Sequence, residues 1–309
     1  MKKQSIELTC IDGKSEGIRL DKFLTEKFPD FSRTYFQELI SDGFVIINTM
    51  IVTKSSYKLK INDIIHLEMH PVGPNLDPKP VFFEVVADTK DFLVINKPAG
   101  LLVHHSLSSG DEPSLVNGLL YQFPEFSTFS DKIRPGIVHR LDKNTSGLIL
   151  VARNQEAQET LMGLFKQRLV HKTYVAIVTG HPQPQGVIDL PVGRDLASPH
   201  KMSTKGIYGK PAVTEYTVQE YYENDGCRRA LVSAHPITGR THQIRVHFAA
   251  LGFPLEGDNT YGTPSILISR HALHASEIEF IFKGKKYHYK QPLCPDFKRL
   301  KDSLQVVQK

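Results

Sequence analysis

PGIVHRLDKNTSGLILVA, residues Pro135–Ala152, decides how this chain is read. Its end, Leu148-Ile149-Leu150-Val151, is a short unbroken apolar run and predicts a buried strand. Just before it, Asn144-Thr145-Ser146-Gly147 has the composition of a turn. Before the turn, His139, Arg140, Asp142 and Lys143 crowd into five residues. Charged side chains at the mouth of a buried strand are a common way to build a site, because the strand fixes the backbone and the loop aims the groups. A lone Arg-x-Asp in such a turn is an ordinary solvated ion pair. The length of this pattern is what makes it informative.

Three further stretches extend the reading. NKPAGLLVHH, Asn96–His105, contains a turn in which proline fixes φ and glycine accepts a positive φ. HKTYVAIVTG predicts a strand from Tyr174 to Thr179. TGRTHQIRVHFAALGFPLEGDNTYG, Thr238–Gly262, predicts a helix starting near Thr241, with Ile244, Phe248 and Leu251 on its buried face.

HRLDKNTSG closely resembles the signature of the RluA/RluD-type pseudouridine synthases, which isomerise uridine in structured RNA, and the order of the motifs looks most like the RluD branch. The resemblance implies that Asp142 is the catalytic carboxylate, that Tyr174 is the active-site tyrosine and that Arg245 pairs with Asp142. Arg140, two residues before Asp142, falls on the same side of an extended segment and is expected to hold the flanking backbone or fill the space the base vacates. His139 is expected to set the loop by a hydrogen bond. Lys97 is expected to shape the cleft. This chain has Asn144 where the family often has Asp, and His105 where it usually has Pro.

The first part of the chain is separate. Leu20, Phe23, Leu24 and Phe28 recur at helical spacing, as do Phe36, Leu39 and Ile40 after a possible cap at Ser32. Asp42-Gly43 turns the chain, Val45–Asn48 predicts a strand, and Ile61, Ile64, Ile65 and Leu67 predict another. This pattern resembles an S4 RNA-binding domain, and the resemblance places Arg19, Lys22, Arg33 and Gln37 on a face toward RNA, holding phosphates without reading sequence. The family usually has an Asn-Gly turn where this chain has Asn48-Thr49-Met50. Pro71, Pro74, Pro78 and Pro80, within ten residues, predict an extended spacer. The expected organisation is therefore an S4-like domain over 15–75 and a catalytic domain over 81–309. The fold class is α+β, with a central mixed, largely antiparallel sheet flanked by helices in the larger domain.

Downstream of the central motif, Ala157, Leu161, Leu164, Phe165 and Leu169 predict one face of a packing helix. Val213–Tyr221 and Arg229–Ala234 predict antiparallel neighbours. A polar loop with Lys201 and Lys205 is either RNA-facing or simply solvated. A basic tail from Lys283 to Lys301 touches phosphates or aids solubility.

Composition sets outer bounds. Of the 309 residues 40% are apolar, enough for a buried core. No apolar run is long enough to span a bilayer, and MKKQSIELTC lacks the apolar stretch of a secretory leader. Cys10, Cys227 and Cys294 are few and scattered, which points to a reducing, cytoplasmic compartment. The net charge of +5 lies entirely beyond residue 70, where basic residues outnumber acidic ones. His104, His105, His139, His242 and His247 show no metal-ligand spacing, and no metal is expected.

Converting uridine to pseudouridine moves no electrons in or out, so no cofactor is expected, and neither GxGxxG nor GxxxxGK[ST] is present. A glycosidase would want two carboxylates. One carboxylate could attack C1′ or take a proton from C2′; the sequence leaves both routes open. The expected partner is RNA, foremost large-subunit (23S) ribosomal RNA, with the protein a monomer. The competing readings are a non-catalytic RNA-binding protein on the same scaffold and a metal-dependent hydrolase.

Overall fold

Burial explains the central run. In the computed structural model all seven residues of Ser146–Ala152 form a strand and all are buried. The structure describes residues 4–9, 16–29, 31, 33–41, 43–69, 77–104, 112–195, 198, 201–224 and 226–307. Asp30, Ser32, Asp42, His105 and Asp225 lie outside the described residues. Contacts divide the chain into two units, residues 1–81 with 104–135 and residues 82–103 with 136–309.

The first unit contains β1 (Gln4–Thr9), α1 (Leu20–Lys27), α2 (Arg33–Ser41), β2 (Val45–Ile47), β3 (Met50–Ile51), β4 (Ile64–Met69) and α3 (Leu115–Gln122). Its four-stranded sheet runs β1-β4-β2-β3. Leu20, Phe23 and Leu24 from α1 meet Phe36, Leu39 and Ile40 from α2 over Val45, Ile47, Ile65 and Leu67, so the helical spacing read from sequence is the core of this unit. Ile61 differs from expectation: it is exposed, in the turn before β4. Asn48 and Thr49 connect β2 to β3 with φ of 48° and 76°. Two successive positive φ values define the hairpin turn for which Asn-Gly is favoured, so the turn persists although a β-branched threonine occupies the glycine position. Asn48 supports it by donating to Asp63 (2.7 Å) and accepting from the Ile64 N–H (2.8 Å).

The second unit contains β5 (Glu84–Asp88), β6 (Phe92–Lys97), β7 (Ser146–Ala152), α4 (Gln155–Lys166), β8 (His171–Thr179), β9 (Gln185–Asp189), β10 (Val192–Arg194), β11 (Met202–Ser203) and β12 (Ile207–Lys210). It continues with β13 (Val213–Asn224), β14 (Cys227–Pro236), α5 (Gln243–Ala250), β15 (Leu273–Phe282), β16 (Lys285–Lys290) and α6 (Pro295–Asp302). Nine strands form one sheet, β5-β6-β7-β15-β8-β14-β13-β9, with β16 paired to β15. Every pairing in it is antiparallel except β7 with β15, so the sheet is mixed and largely antiparallel as expected.

The parallel contact is short, His274 with Ser146 and Ala275 with Gly147. Gly147 has φ +107°, and a Cβ there would lie 2.2 Å from the Ala275 carbonyl oxygen. Only glycine lets β15 approach β7 this closely.

Several local expectations shift. The turn before β7 is closed by Thr145 N–H on the Asp142 carbonyl (3.0 Å), so it spans Asp142–Thr145, while Ser146 and Gly147 already belong to the strand. The polar loop with Lys201 and Lys205 is bounded by short strands: Met202–Ser203 within it pairs with β10, and β10 pairs with β12, in a small three-stranded sheet, β11-β10-β12. The start of the basic tail is the β15–β16 hairpin, where Lys286 pairs with Glu279 (2.9 Å) and Lys290 with Glu277 (3.1 Å). Leu169 lies past the end of α4 and is exposed. Helix α5 is buried on nearly every side, from Gln243 to Phe248, rather than amphipathic. Its polar residues are satisfied internally: Gln243 donates to the Val213 carbonyl and Thr214 (both 2.9 Å), and His247 bonds Thr214 and the Leu190 carbonyl (both 3.0 Å).

Candidate active site

Asp142 opens the turn that feeds β7, and the first three carbonyls of that turn are held. The Asp142 carbonyl accepts from Thr145 N–H. The Lys143 carbonyl accepts from the Lys97 ammonium (3.0 Å) and the Gly100 N–H (2.9 Å). The Asn144 carbonyl accepts from the buried Arg270 guanidinium (3.0 Å), which Asp296 anchors. The Thr145 hydroxyl bonds His271 (2.9 Å). Lys97 is fully buried and also donates to the Pro98 and Leu101 carbonyls, three bonds for the three hydrogens of an ammonium. Burial pulls its pKa down to about 7, with Asp142 opposing. Lysine and the NKPAG turn therefore lock two loops together. A turn fixed at three successive carbonyls points its side chain in one direction.

His139 holds the opposite side of β7. Its Nε2 accepts from the Leu150 N–H at 2.9 Å, and its ring stacks on Phe165. Burial, aided by Lys172, lowers its pKa to about 3, so it is neutral with the proton on Nδ1. It sets the loop, as read from the sequence.

Arg245 comes from α5, 103 residues downstream, and its Nη1 lies 3.2 Å from Asp142 Oδ2. The other edge of the guanidinium is taken by Asp258, through Nε at 2.8 Å and Nη2 at 2.9 Å. Asp258 is fully enclosed and also accepts from the Thr260 and Tyr261 N–H groups (3.0 and 3.2 Å). The guanidinium is thus held edge-on by one buried carboxylate and offers its remaining N–H to Asp142, whose side chain is 18% exposed. Burial alone would raise the Asp142 pKa; His242, Arg245 and His271 outweigh it and hold the carboxyl below its usual range.

His242 precedes α5 with φ 56°, which turns its ring out of the helix and brings Nε2 to 3.9 Å from Asp142 Oδ1. Its Nδ1 bonds the Tyr261 hydroxyl at 2.7 Å, and that hydroxyl accepts from the Met202 N–H at 2.9 Å. The Tyr261 ring also lies under the Arg245 guanidinium, 5.0 Å away.

Asp142, His242 and Arg245 line a cleft of about 530 Å³, together with Arg140, Tyr174 and Lys172. That volume is in the range of small-molecule sites and admits a nucleoside. Arg140 is exposed at the cleft. Tyr174 is buried, and burial with the Asp142 charge pushes its phenol up, so it stays protonated. Lys172, two residues before Tyr174 on β8, has its pKa lowered to about 8 by burial.

Known proteins fit this arrangement. The sequence pattern of the RNA pseudouridylate synthases matches residues 91–250, and that of the S4 domain matches 18–65. A curated relative from Aquifex aeolicus, described as an uncharacterised RNA pseudouridine synthase, is 40% identical over 85% of this chain and 82% of its own length. This chain belongs to the RNA pseudouridine synthase family. It is accordingly an isomerase, with an S4 domain ahead of the synthase domain. Ribosomal large subunit pseudouridine synthase D of Zymomonas mobilis is 34% identical, covering 94% of this chain and 95% of that protein. Among solved structures, human RNA pseudouridylate synthase domain containing 1 aligns with a TM-score of 0.59 and 29% identity, over 78% of this chain and 94% of that one.

In the S4 domain of this synthase, Arg19, Arg33 and Gln37 share one partner. Arg19 grips both oxygens of the buried Asp21 carboxylate (2.9 Å each), and Arg33 (3.1 Å) and Gln37 (2.7 Å) converge on Oδ2. Burial opposes ionisation of Asp21, but these donors hold it far below the ordinary carboxyl range. The two arginines keep 43% and 49% of their side chains exposed, so one carboxylate organises a polar face that remains open to solvent. Lys22 lies apart from this cluster, paired with Glu26 at 3.8 Å.

Of the residues singled out from sequence, the structure brings Arg140, Asp142, Tyr174 and Arg245 to one cleft. Sequence reasoning passed over Asp258, Tyr261, His271 and Lys172. It weighed His242 only as a metal ligand, and the left-handed backbone of this residue at the start of α5 leaves no trace in the sequence pattern. Among the described residues no cluster of three or more His, Cys, Asp or Glu is arranged to hold a metal ion, and no helix is long and apolar enough to cross a membrane.

Proposed function

We propose that this synthase converts specific uridines of large-subunit (23S) ribosomal RNA to pseudouridine in the cytoplasm, as a monomer, with Asp142 as its one catalytic carboxylate. The observation that carries the reading is an ionised Asp142, oriented by Arg245, facing a nucleoside-sized cleft. The name of the Zymomonas relative supplies the class of RNA.

The reaction breaks N1–C1′, turns the base and joins C5 to C1′; the C5 hydrogen leaves as a proton and N1 gains one, so the product is an isomer. Asp142 either attacks C1′ or takes the C2′ proton to give a glycal. Arg245 contributes direction as well as charge, because a carboxylate held at attack distance is worth far more than a free one. The uridine leaves its stack to reach this group, at a cost of a few kcal/mol. Arg140, exposed at the cleft, contacts the flanking backbone or occupies the vacated space, and Tyr174 stacks on the extruded base. The S4 domain holds RNA phosphates through Arg19, Arg33 and Gln37 around Asp21 and through Lys22 apart from them. A hydrolase would need a second working carboxylate. Asp258, the other carboxylate bound to Arg245, is enclosed and spent on that arginine.

The test is a map of pseudouridines in ribosomal RNA from cells with and without the protein, followed by the purified enzyme on an RNA fragment spanning each lost site. Asp142→Asn should lower turnover by about 10⁴-fold or more while leaving RNA affinity within a few-fold. Identical maps, or an active Asn variant, would refute the reading.

A further inference from the structure

The Tyr261 ring packs under Arg245, but the hydrogen bond from its hydroxyl to His242 does not hold the arginine, and it aims the imidazole at the Asp142 carboxylate. The Tyr261 oxygen accepts from the Met202 N–H, which leaves its own proton for His242 Nδ1, 2.7 Å away. A neutral imidazole that accepts at Nδ1 carries its hydrogen on Nε2. Burial lowers the His242 pKa against the pull of Asp142, which keeps the ring neutral. The Nε2–H therefore points into the cleft 3.9 Å from Asp142 Oδ1, too far to be consumed by the carboxylate as a hydrogen bond.

That position has a chemical meaning, which rests on Asp142 working on a uridine in this cleft. When N1–C1′ breaks, the bonding pair leaves with the base, and the negative charge spreads over N1, O2 and O4. Electrons balance either through a new carboxylate–C1′ bond or through loss of the C2′ proton to Asp142. In both routes Asp142 lies about 3–3.5 Å from the sugar carbon it acts on. O2 is three bonds from C1′, so a donor beside the carboxylate is beside O2.

We infer that His242 is a catalytic residue that donates its Nε2–H to O2 of the departing uracil, with Tyr261 as the positioning residue that fixes its tautomer. No proton is transferred; the hydrogen bond strengthens as charge builds on O2. The arrangement has the logic of an oxyanion hole, set at the base rather than at the sugar.

The experiment is a cycle between an enzyme group and a substrate atom, using the RNA fragment mapped above with uridine, 2-thiouridine or 4-thiouridine at the target. Sulfur is a poor acceptor, so replacing O2 removes the bond from the substrate side. His242→Ala should slow single turnover on uridine about 100-fold. On 2-thiouridine the same change should cost under about 10-fold, and on 4-thiouridine about as much as on uridine. His242→Gln, which keeps a side-chain N–H, should recover part of the loss. Tyr261→Phe leaves the imidazole in place and should show the same pattern, smaller. RNA affinity, which reports folding as well, should stay within about 3-fold throughout. Equal losses on all three substrates, or a loss that vanishes on 4-thiouridine instead, would overturn the inference. A wild-type enzyme that makes no pseudouridine from the uridine fragment would instead overturn the functional reading beneath it.

Discussion

Asp258→Asn tests whether Arg245 is aimed by the carboxylate behind it. The change keeps volume and removes one charge. Two bonds of 2.8 and 2.9 Å join Asp258 to Arg245, with neither side chain more than 7% exposed. Breaking a buried ion pair by deleting one partner costs about 3–5 kcal/mol. Here the amide oxygen still accepts, and Asp142 at 3.2 Å remains a counter-ion. The loss should therefore fall near about 2–3 kcal/mol. Arg245 would then swing toward Asp142, pairing it more fully and misdirecting it, and turnover should drop about 10–100-fold with RNA affinity unchanged. The pH dependence has a definite sign. Burial would raise the Asp258 pKa, but Arg245 and the Thr260 N–H prevail and depress it. Its stabilisation is then complete above the unfolded carboxyl value of about 4 and is lost as pH falls through the folded value. Wild type and variant should differ most near neutrality and converge in acid. The chain has no tryptophan, so urea unfolding is best followed by far-ultraviolet circular dichroism. Matching midpoints within about 0.5 kcal/mol, together with normal turnover, would show that Asp258 does not anchor the arginine.

Two further changes probe the scaffold. Gly147→Ala would force a Cβ to 2.2 Å from the Ala275 carbonyl at φ +107°, so the second unit should lose about 3 kcal/mol or more in urea unfolding; a loss under about 1 kcal/mol would contradict the close approach of β15. Thr49→Gly relieves a β-branched residue at φ 76° and should stabilise the first unit by about 1 kcal/mol, read as greater amide-exchange protection in β2 and β4; unchanged or weaker protection would mean the turn carries no strain.

The sequence by itself determined what depends on neighbours in the chain. Apolar run and helical spacing marked β7, α1 and α2, because burial of one face repeats with the backbone period. The HRLD pattern marked Asp142, and the likeness of TGRTHQIRVH to a known motif marked Arg245. It was less reliable where local signals compete: the Asp142 turn lay two residues earlier than its composition suggested, and a helix buried all round, α5, left no amphipathic face to read. Tertiary structure alone decided what these residues do to one another. Asp142 and Arg245 are 103 residues apart, Asp258 lies behind the arginine, and His242 reaches the carboxylate only because its backbone is left-handed. Hydrogen bonds of this kind join side chains across elements, at no fixed sequence interval, so no periodicity records them. They form when the nine-stranded sheet brings the start of β7 beside the start of α5, and the chemistry of the cleft exists only from that point.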